Sequence, residues 1–255
     1  MTRTEPPSRT IAHQLREQIT SGHFAAGDKL PSERALAAEH GSARNTAREA
    51  IGLLQAEGLV DVQHGRGVFV RAKSPMIRMG AGRYSPSLRA ATGLSPFRAE
   101  AERQGKQARV DVPSISEVPA PADVADRLHL EPNVRVVERV NHYFTDDEPV
   151  QTGVTYIPVA IAAGSVLATD ANTGRGSIYE RFAELGHQIT SVREEITARM
   201  PTHAEAAALA VPAGVPVIEL LHTGLDQDGR PFEVTRFVMR ADRNALDYQI
   251  TIEDT

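Results

Sequence analysis

The sequence predicts an α+β protein built from two domains of different architecture. Its first seventy residues contain short amphipathic helices followed by one tight hairpin. The chain beyond residue 97 consists mainly of long strands in which apolar and polar residues alternate. Many strands joined by hairpins, with a few helices inserted between them, are typical of an antiparallel sheet. A length of 255 residues accommodates two such domains.

The stretch from Gly22 to Val70 has the outline of a winged helix-turn-helix. Ser32 is suited to cap free backbone N–H groups, so a short helix is predicted to begin there and to end at Gly41. A second helix is predicted from about Ala43 to Glu57. Two apolar strands joined by a glycine-containing tip complete the stretch.

The start of the second helix and the hairpin tip carry side chains suited to DNA. Arginine binds guanine edges or phosphates, and Asn and Thr read base edges at close range. Arg66, between two glycines, is suited to enter a minor groove or to bind phosphate. The alternative is an ordinary solvated helix end. The candidates at the helix start are Arg44, Asn45, Thr46 and Arg48.

These residues resemble the GntR family of bacterial transcription regulators. The resemblance rests on Gly27–Glu33, Arg44–Ala50, Glu57–Val60 and His64–Val70. It implies that double-stranded operator DNA is contacted by Arg34, Arg44, Asn45, Thr46, Arg48, His64, Gly65 and Arg66. Family members usually have Ser or Thr where Ala43 stands and a larger apolar residue where Ala47 stands. Ser42 is therefore expected to cap the second helix.

Composition and charge limit the functions that are expected of this protein. Residues 1–73 carry a net charge of +2 and the remainder −7, which confines DNA affinity to the N-terminal domain. Because +2 is weak for a DNA-binding domain, a homodimer is expected to double the contacts. No cysteine is present, and the nine histidines have no metal-ligand spacing, so no metal, cofactor or catalytic residue is expected. Without an apolar segment for export or a membrane, a cytoplasmic location is expected.

The predicted domain boundaries follow composition. Residues 1–72 form the winged helix-turn-helix domain, residues 73–96 a linker of loop character rich in Ser, Pro and Gly, and residues 97–255 the second domain. The Arg83–Arg89 segment of the linker has no assigned role, and one alternative is that it is ordered against the second domain. Two capping boxes, Ser177–Glu180 and Thr202–Glu205, are predicted to open helices in the second domain.

The second domain resembles the UTRA effector-binding domain of the HutC subfamily, which implies a chorismate-lyase-like fold. The supporting motifs are Val136–Arg139, Glu148–Val150, Thr155–Pro158, Ser177–Glu180, Gly229–Glu233 and Arg240–Arg243. The resemblance places Arg139, Asn141, Gln151, Ser177, Tyr179 and Glu233 around a small-molecule effector. Members that bind phosphorylated sugars often have a basic residue at Asn141 and a carboxylate at Gln151. A neutral or singly anionic metabolite is therefore an equal candidate, and a merely solvated sheet face is the alternative.

The resulting hypothesis is a dimeric repressor, released from an inverted-repeat operator when an effector binds its second domain. One alternative is a constitutive repressor whose second domain only dimerises. Another is a catalytic domain of chorismate-lyase type fused to a DNA-binding domain. An enzyme should turn over a candidate ligand, and a domain that only dimerises should bind none.

Overall fold

The structure, a computed structural model, describes residues 6–63, 65–71 and 75–250. The chain divides into two compact units. The N-terminal unit comprises residues 1–74 together with 211–216, and the C-terminal unit comprises residues 75–210 and 217–255.

The N-terminal unit has the predicted order of helices and strands. These are α1 (Pro7–Thr20), α2 (Glu33–Glu39), α3 (Arg44–Ala56), β1 (Val60–Gln63) and β2 (Gly67–Val70). Helix α2 is capped as predicted, because the Ser32 hydroxyl accepts a hydrogen bond from the Ala35 N–H at 3.2 Å. Gly41 follows the end of α2 with a φ of 57°, a left-handed conformation that glycine adopts without strain.

The expected cap of α3 is wrong. Ala43 is the N-cap residue, and no side chain accepts a hydrogen bond from the first turn. The Ser42 hydroxyl is buried without a hydrogen-bond partner among the described residues. Since capping requires a side chain at the N-cap position itself, a serine one residue earlier does not cap the helix.

A small apolar core holds α3 in place. Helices α1 and α2 both pack against α3. Ile11, Leu36 and Leu54 are each at most 1% exposed, and Val68 from the hairpin joins the same cluster. This packing braces α3 from behind and leaves its N-terminal end exposed.

The C-terminal unit contains the remaining helices and strands. The strands are β3 (Met76–Met79), β4 (Ala108–Pro119), β5 (Arg135–Thr145), β6 (Glu148–Pro158), β7 (Ser191–Arg199), β8 (Val217–Leu225), β9 (Pro231–Arg240) and β10 (Asn244–Asp247). The helices are α4 (Pro86–Thr92), α5 (Pro96–Arg103), α6 (Ala122–Leu128), α7 (Val159–Ala162), α8 (Val166–Thr169), α9 (Ser177–Glu184) and α10 (His203–Ala208), with a 3-10 turn at Ala81–Tyr84.

Six of these strands form one antiparallel sheet in the order β4-β5-β6-β9-β8-β7, which confirms the predicted α+β class. Strands β3 and β10 form a separate parallel pair. On one face of the sheet, Val136 and Tyr156 pack with residues of α6. On the other, Val137 and Ile157 pack with Phe182 of α9. Alternation along each strand therefore divides the side chains between two apolar layers.

The predicted loop character of residues 73–96 is wrong for the part that the structure describes. This part contains β3, the 3-10 turn and α4. Ser85 caps α4, with Pro86 as its first residue, and Ser95 and Pro96 begin α5 in the same way. Proline suits the first helical position because its missing N–H has no partner there anyway. The two Ser-Pro pairs are therefore helix starts, although they resemble loop sequence.

The two predicted capping boxes differ in outcome. The box at Thr202 and Glu205 is confirmed, with both reciprocal hydrogen bonds present. The box at Ser177 is wrong, because Gly176 is the N-cap residue and Ser177 is the first residue of α9. Ser177 has a φ of 64°, a strained conformation for a residue other than glycine.

We expect Leu54→Ala to destabilise the N-terminal unit by about 2–5 kcal/mol, because it leaves a cavity in a core with no solvent access. Hydrogen exchange of the full chain should show faster exchange in α3 and unchanged exchange in the β5 and β6 peptides. Glu49→Ala, an exposed change in the same helix, should stay within about 0.5 kcal/mol of the parent. Unchanged α3 exchange in Leu54→Ala would contradict this account of the core.

Candidate functional sites

The side chains predicted to contact DNA lie at the surface of the N-terminal unit. Arg34 on α2 is exposed, as are the hairpin-tip residues Gly65 and Arg66. At the start of α3, Arg44, Asn45 and Arg48 are exposed and Thr46 is half-buried. His64 lies outside the described residues.

Glu33 joins α2 to the start of α3. Its carboxylate accepts hydrogen bonds from Arg44 Nε at 2.9 Å, and from Nε and Nη2 of Arg48, each also at 2.9 Å. The bond from Arg48 is the main cause of a lowered pKa for the Glu33 carboxyl, which keeps it ionised. One carboxylate therefore holds two exposed guanidinium groups side by side, which limits the rotamers that each samples before it meets a ligand.

The conformation of the hairpin tip depends on the glycine at position 67. Strands β1 and β2 pair from Val60 opposite Val70 to Gln63 opposite Gly67. Gly67 has a φ of 122°, and a Cβ at this position would lie 2.6 Å from Cε of Lys29. The Arg66 guanidinium lies 5.9 Å from the centre of the Phe69 ring. A residue other than glycine at position 67 is therefore strained by this φ and also has to displace the flexible end of Lys29.

The C-terminal unit contains a cavity of about 640 Å³ above one face of its sheet. Strands β4, β5, β6 and β9 contribute the floor, and residues 93–98 and 171–179 contribute walls. Five of the six residues predicted to surround an effector line this cavity: Arg139, Asn141, Gln151, Ser177 and Tyr179. This volume lies within the range of small-molecule sites.

Arg139 places a buried positive charge in the wall. It is 2% exposed, and its guanidinium donates to the Leu167 carbonyl at 2.6 Å and to the Asp170 carbonyl at 2.9 Å. Burial lowers the pKa of Arg139. It forms no salt bridge among the described residues, so its charge is stabilised by backbone dipoles and is not neutralised by a carboxylate.

Two polar groups of the wall have no hydrogen-bond partner among the described residues. They are the Gln151 amide nitrogen Nε2 and the Ser177 hydroxyl, and both are inaccessible to solvent. Gln151 as a whole is 4% exposed. Asn141 differs, since its amide donates to the carbonyls of Arg139 and Gly153. An unsatisfied buried donor costs about 1–3 kcal/mol, and a ligand that accepts from it recovers that energy.

Glu233, the sixth predicted residue, does not line the cavity. It is fully buried beneath the wall, where its carboxylate accepts from the Tyr179 hydroxyl at 3.2 Å and the Thr235 hydroxyl at 2.8 Å. His222 Nε2 lies 2.9 Å from the same carboxylate. Glu233 therefore supports two wall residues from behind, because its own hydrogen-bonding capacity is used by internal partners.

A buried cluster of charged groups continues from Glu233. Nδ1 of His222 lies 3.0 Å from the Glu194 carboxylate, which also accepts from Arg78 and from the Tyr248 hydroxyl at 2.5 Å each. Burial lowers the pKa of His222, but Glu233 and Glu194 outweigh it and raise the pKa overall. With both ring nitrogens on carboxylates, the imidazole is held as the cation.

The same partners act on Glu194. Burial raises the pKa of its carboxyl, but the hydrogen bond with His222 and the charge of Arg78 outweigh that and hold the pKa well below its usual range. Two cations and two carboxylates thus neutralise one another beneath the cavity. This balance makes their burial tolerable.

Sequence reasoning missed three arginines that line the cavity. Arg83, Arg98 and Arg175 join Arg139 in the wall, and none of the described lining residues is Asp or Glu. Arg83 forms a buried ion pair with Glu100 at 3.1 Å. The signal was the segment around Arg83, whose role stayed unassigned because residues 73–96 were interpreted as a linker.

Other kinds of site find no support in the described part of the chain. It contains no group of three or more His, Cys, Asp or Glu side chains placed to hold a metal ion. None of its helices is both long enough and apolar enough to span a bilayer.

Comparison with known proteins assigns each half of the chain. Residues 7–70 match the model for bacterial regulatory proteins of the gntR family, and residues 103–245 match the UTRA domain. An HTH-type transcriptional regulator from Streptomyces coelicolor is 30% identical over 98% of this chain and 94% of its own. The mannosyl-D-glycerate transport/metabolism system repressor MngR of Escherichia coli is 27% identical over 97% of this chain and 95% of its own.

Solved structures agree with the family models. The crystal structure of a GntR-family transcriptional regulator has a TM-score of 0.66 and 27% identity, and the match covers 98% of this chain and 99% of the other. PhnF from Mycobacterium smegmatis, at 23% identity and a TM-score of 0.60, shares the fold over 95% of this chain and all of its own. The chain belongs to the GntR family of bacterial regulatory proteins, as an HTH-type transcriptional regulator with a C-terminal UTRA domain and a HutC-like architecture.

Proposed function

We propose that this protein is a repressor that binds an inverted-repeat operator as a homodimer and leaves it when an effector occupies the UTRA cavity. The relatives are transcriptional regulators and not enzymes, so the catalytic alternative is set aside. The repressor function named for the Escherichia coli relative supports the direction of control. Operator binding places its action in the bacterial cytoplasm.

The observation that carries effector binding is the buried, uncompensated charge of Arg139 in the cavity wall. Its guanidinium contacts only backbone carbonyls among its hydrogen-bond partners, and the described wall contains no carboxylate. An anionic or carbonyl-bearing group of the effector supplies the missing partner, with the Ser177 hydroxyl beside the start of α9.

The constitutive alternative fits the cavity less well. A domain that only dimerises gains nothing from a cavity of about 640 Å³ whose wall holds unpartnered polar groups. Each such group lowers stability unless a ligand satisfies it. Buried polar groups without a hydrogen-bond partner are therefore expected where a ligand binds.

Release follows from a population shift. The two recognition helices α3 of a dimer must lie about one DNA turn apart to contact both half-sites. An effector that binds more tightly to the arrangement that misfits the operator shifts the equilibrium toward release, by no more than its differential affinity.

We expect Arg48→Ala to weaken operator binding by about tenfold or more, because we infer that this exposed side chain contacts a guanine or a phosphate. Gel-shift titration at fixed salt measures this. Arg103→Ala removes an exposed arginine of the C-terminal unit and should leave operator affinity unchanged. Equal affinity of Arg48→Ala and the parent would remove Arg48 from the interface.

We expect the C-terminal unit to hold the dimer, since the N-terminal unit offers no comparable sheet. Analytical ultracentrifugation should find the full chain at twice its mass of 27.6 kDa. A fragment that begins at Pro75 should remain dimeric, and a fragment of residues 1–71 should be monomeric. The reverse result would overturn this assignment.

We expect Arg139→Ala to retain operator binding and to lose release by the effector. Thermal-shift screening of carboxylate and phosphate metabolites identifies the effector, and gel shifts then measure release. Arg135→Ala, an exposed change on the same strand, is the matched control and should respond normally. Loss of operator binding without effector would mark Arg139 as structural, and release at the parent's effector concentration would remove it from the site.

A further inference from the structure

We propose that the cavity has two anion-binding ends and takes an elongated effector with an acidic group at each end. The first end is formed by Arg139 and Ser177, as in the proposed function on which this inference rests. The second end is formed by Gln151 and Arg98. A site that binds only one anion, at Arg139, leaves Gln151 and Arg98 without a function.

The sheet register separates the two ends. Arg139 lies opposite Thr155, which lies opposite Thr235. Four residues farther along β5, Tyr143 lies opposite Gln151. Four residues of an extended strand span about 13 Å, so the two ends of the floor lie too far apart for one small anion to contact both.

Gln151 provides a donor at the second end. Its side chain lies on the cavity face of β6, is 4% exposed, and carries a buried Nε2 amide group without a hydrogen-bond partner among the described residues. The adjacent Tyr143 is also in the wall, and burial raises the pKa of its hydroxyl to about 12, so the hydroxyl stays protonated at neutral pH. The buried Gln151 donor without an acceptor indicates that the ligand supplies the acceptor.

Arg98 provides the charge at the second end. It lines the cavity from α5, directly after Phe97, whose ring packs edge-on against Tyr143 with 5.0 Å between ring centres. The start of α5 thus lies at the Tyr143–Gln151 end of the floor. Arg98 is exposed and forms no salt bridge among the described residues, in contrast to Arg83, which is paired with Glu100.

The wall between the ends suits an uncharged spacer. Asn141 and Phe237, both uncharged, line the middle of the floor on either side of Gly153 in the register. A Cβ at Gly153 would lie 3.0 Å from the Phe237 ring, so the ring packs closely over the backbone of β6 at this point. The ligand class that matches has an acidic group at each end of a spacer, as in a long dicarboxylate.

The test is calorimetric titration of the full chain with probes that differ in their end groups and in the distance between them. Sebacate carries two carboxylates and decanoate one, and succinate carries two that are too close together. We expect sebacate to bind about tenfold more tightly than either, because one further charge-assisted hydrogen-bonded end is formed. Equal affinities for sebacate and decanoate would overturn the proposal.

Variants locate the second end. Arg98→Gln should abolish the advantage of sebacate and leave decanoate binding unchanged. Arg103→Gln removes the same charge from an exposed position of the same helix outside the cavity wall, and should keep the advantage. Gln151→Met, of similar volume but without a donor, should reduce the advantage. The assignment would be overturned if Arg98→Gln weakened the binding of sebacate and decanoate equally. It would also be overturned if Arg103→Gln reduced the advantage of sebacate as much as Arg98→Gln does.

The nature of the acidic group and the first end are tested separately. The same comparison is made with 1,8-octanediol bisphosphate and octyl phosphate. If the affinity gained from the second end group is larger for this pair than for sebacate over decanoate, the ends prefer phosphate; if it is smaller, they prefer carboxylate. Arg139→Lys should weaken the singly charged probes. If it does not, Arg139 is not part of an anion site and the first end is refuted. The effect of Arg98→Gln still tests the second end independently. Absence of binding by every probe would overturn the two-ended cavity.

Discussion

The His222 imidazole, held between the carboxylates of Glu194 and Glu233, is the interaction on which the C-terminal unit depends. An isolated buried charge costs several kcal/mol, so none of these groups is tolerable without the others. Glu194, His222 and Thr235 occupy one transverse row of the sheet, which continues through Thr155 to Arg139. Because a slip of one residue turns every side chain to the opposite face, this row requires a single register of the strands.

The cavity is a consequence of that row. Its members nearest β5 are the short side chains of Thr155 and Thr235, whose hydroxyls are 2.9 Å apart, and they leave space above the sheet. Tyr84 and Tyr179 bridge this space to the buried cluster, since both hydroxyls lie 3.3 Å from a nitrogen of His222. The wall therefore rests on a rigid, charge-balanced base, which holds its polar groups in fixed positions for a ligand.

Charge is arranged in the opposite way in the N-terminal unit. There a single half-buried carboxylate, Glu33, organises two exposed arginines at the surface and does not neutralise a buried cluster. Water screens such pairs strongly, so they add little stability, and under the proposed function the arginines exchange Glu33 for a phosphate or a base edge. Buried charge specifies the fold of one unit, and exposed charge preorganises the contacts of the other.

The sequence by itself determined the winged helix-turn-helix and the antiparallel class of the second unit, because alternation, caps and turn residues act locally. The resemblance to the UTRA domain supplied the six predicted cavity residues, five of which line the cavity. The sequence also identified the N-terminal arginines, whose spacing along one helix suffices to place them together. Only the tertiary structure decided that Glu233 lies beneath the wall, since its burial depends on His222 from a neighbouring strand. It likewise decided that residues 81–98 form part of the cavity, because Ser-Pro pairs suit both loops and helix starts until packing selects between them.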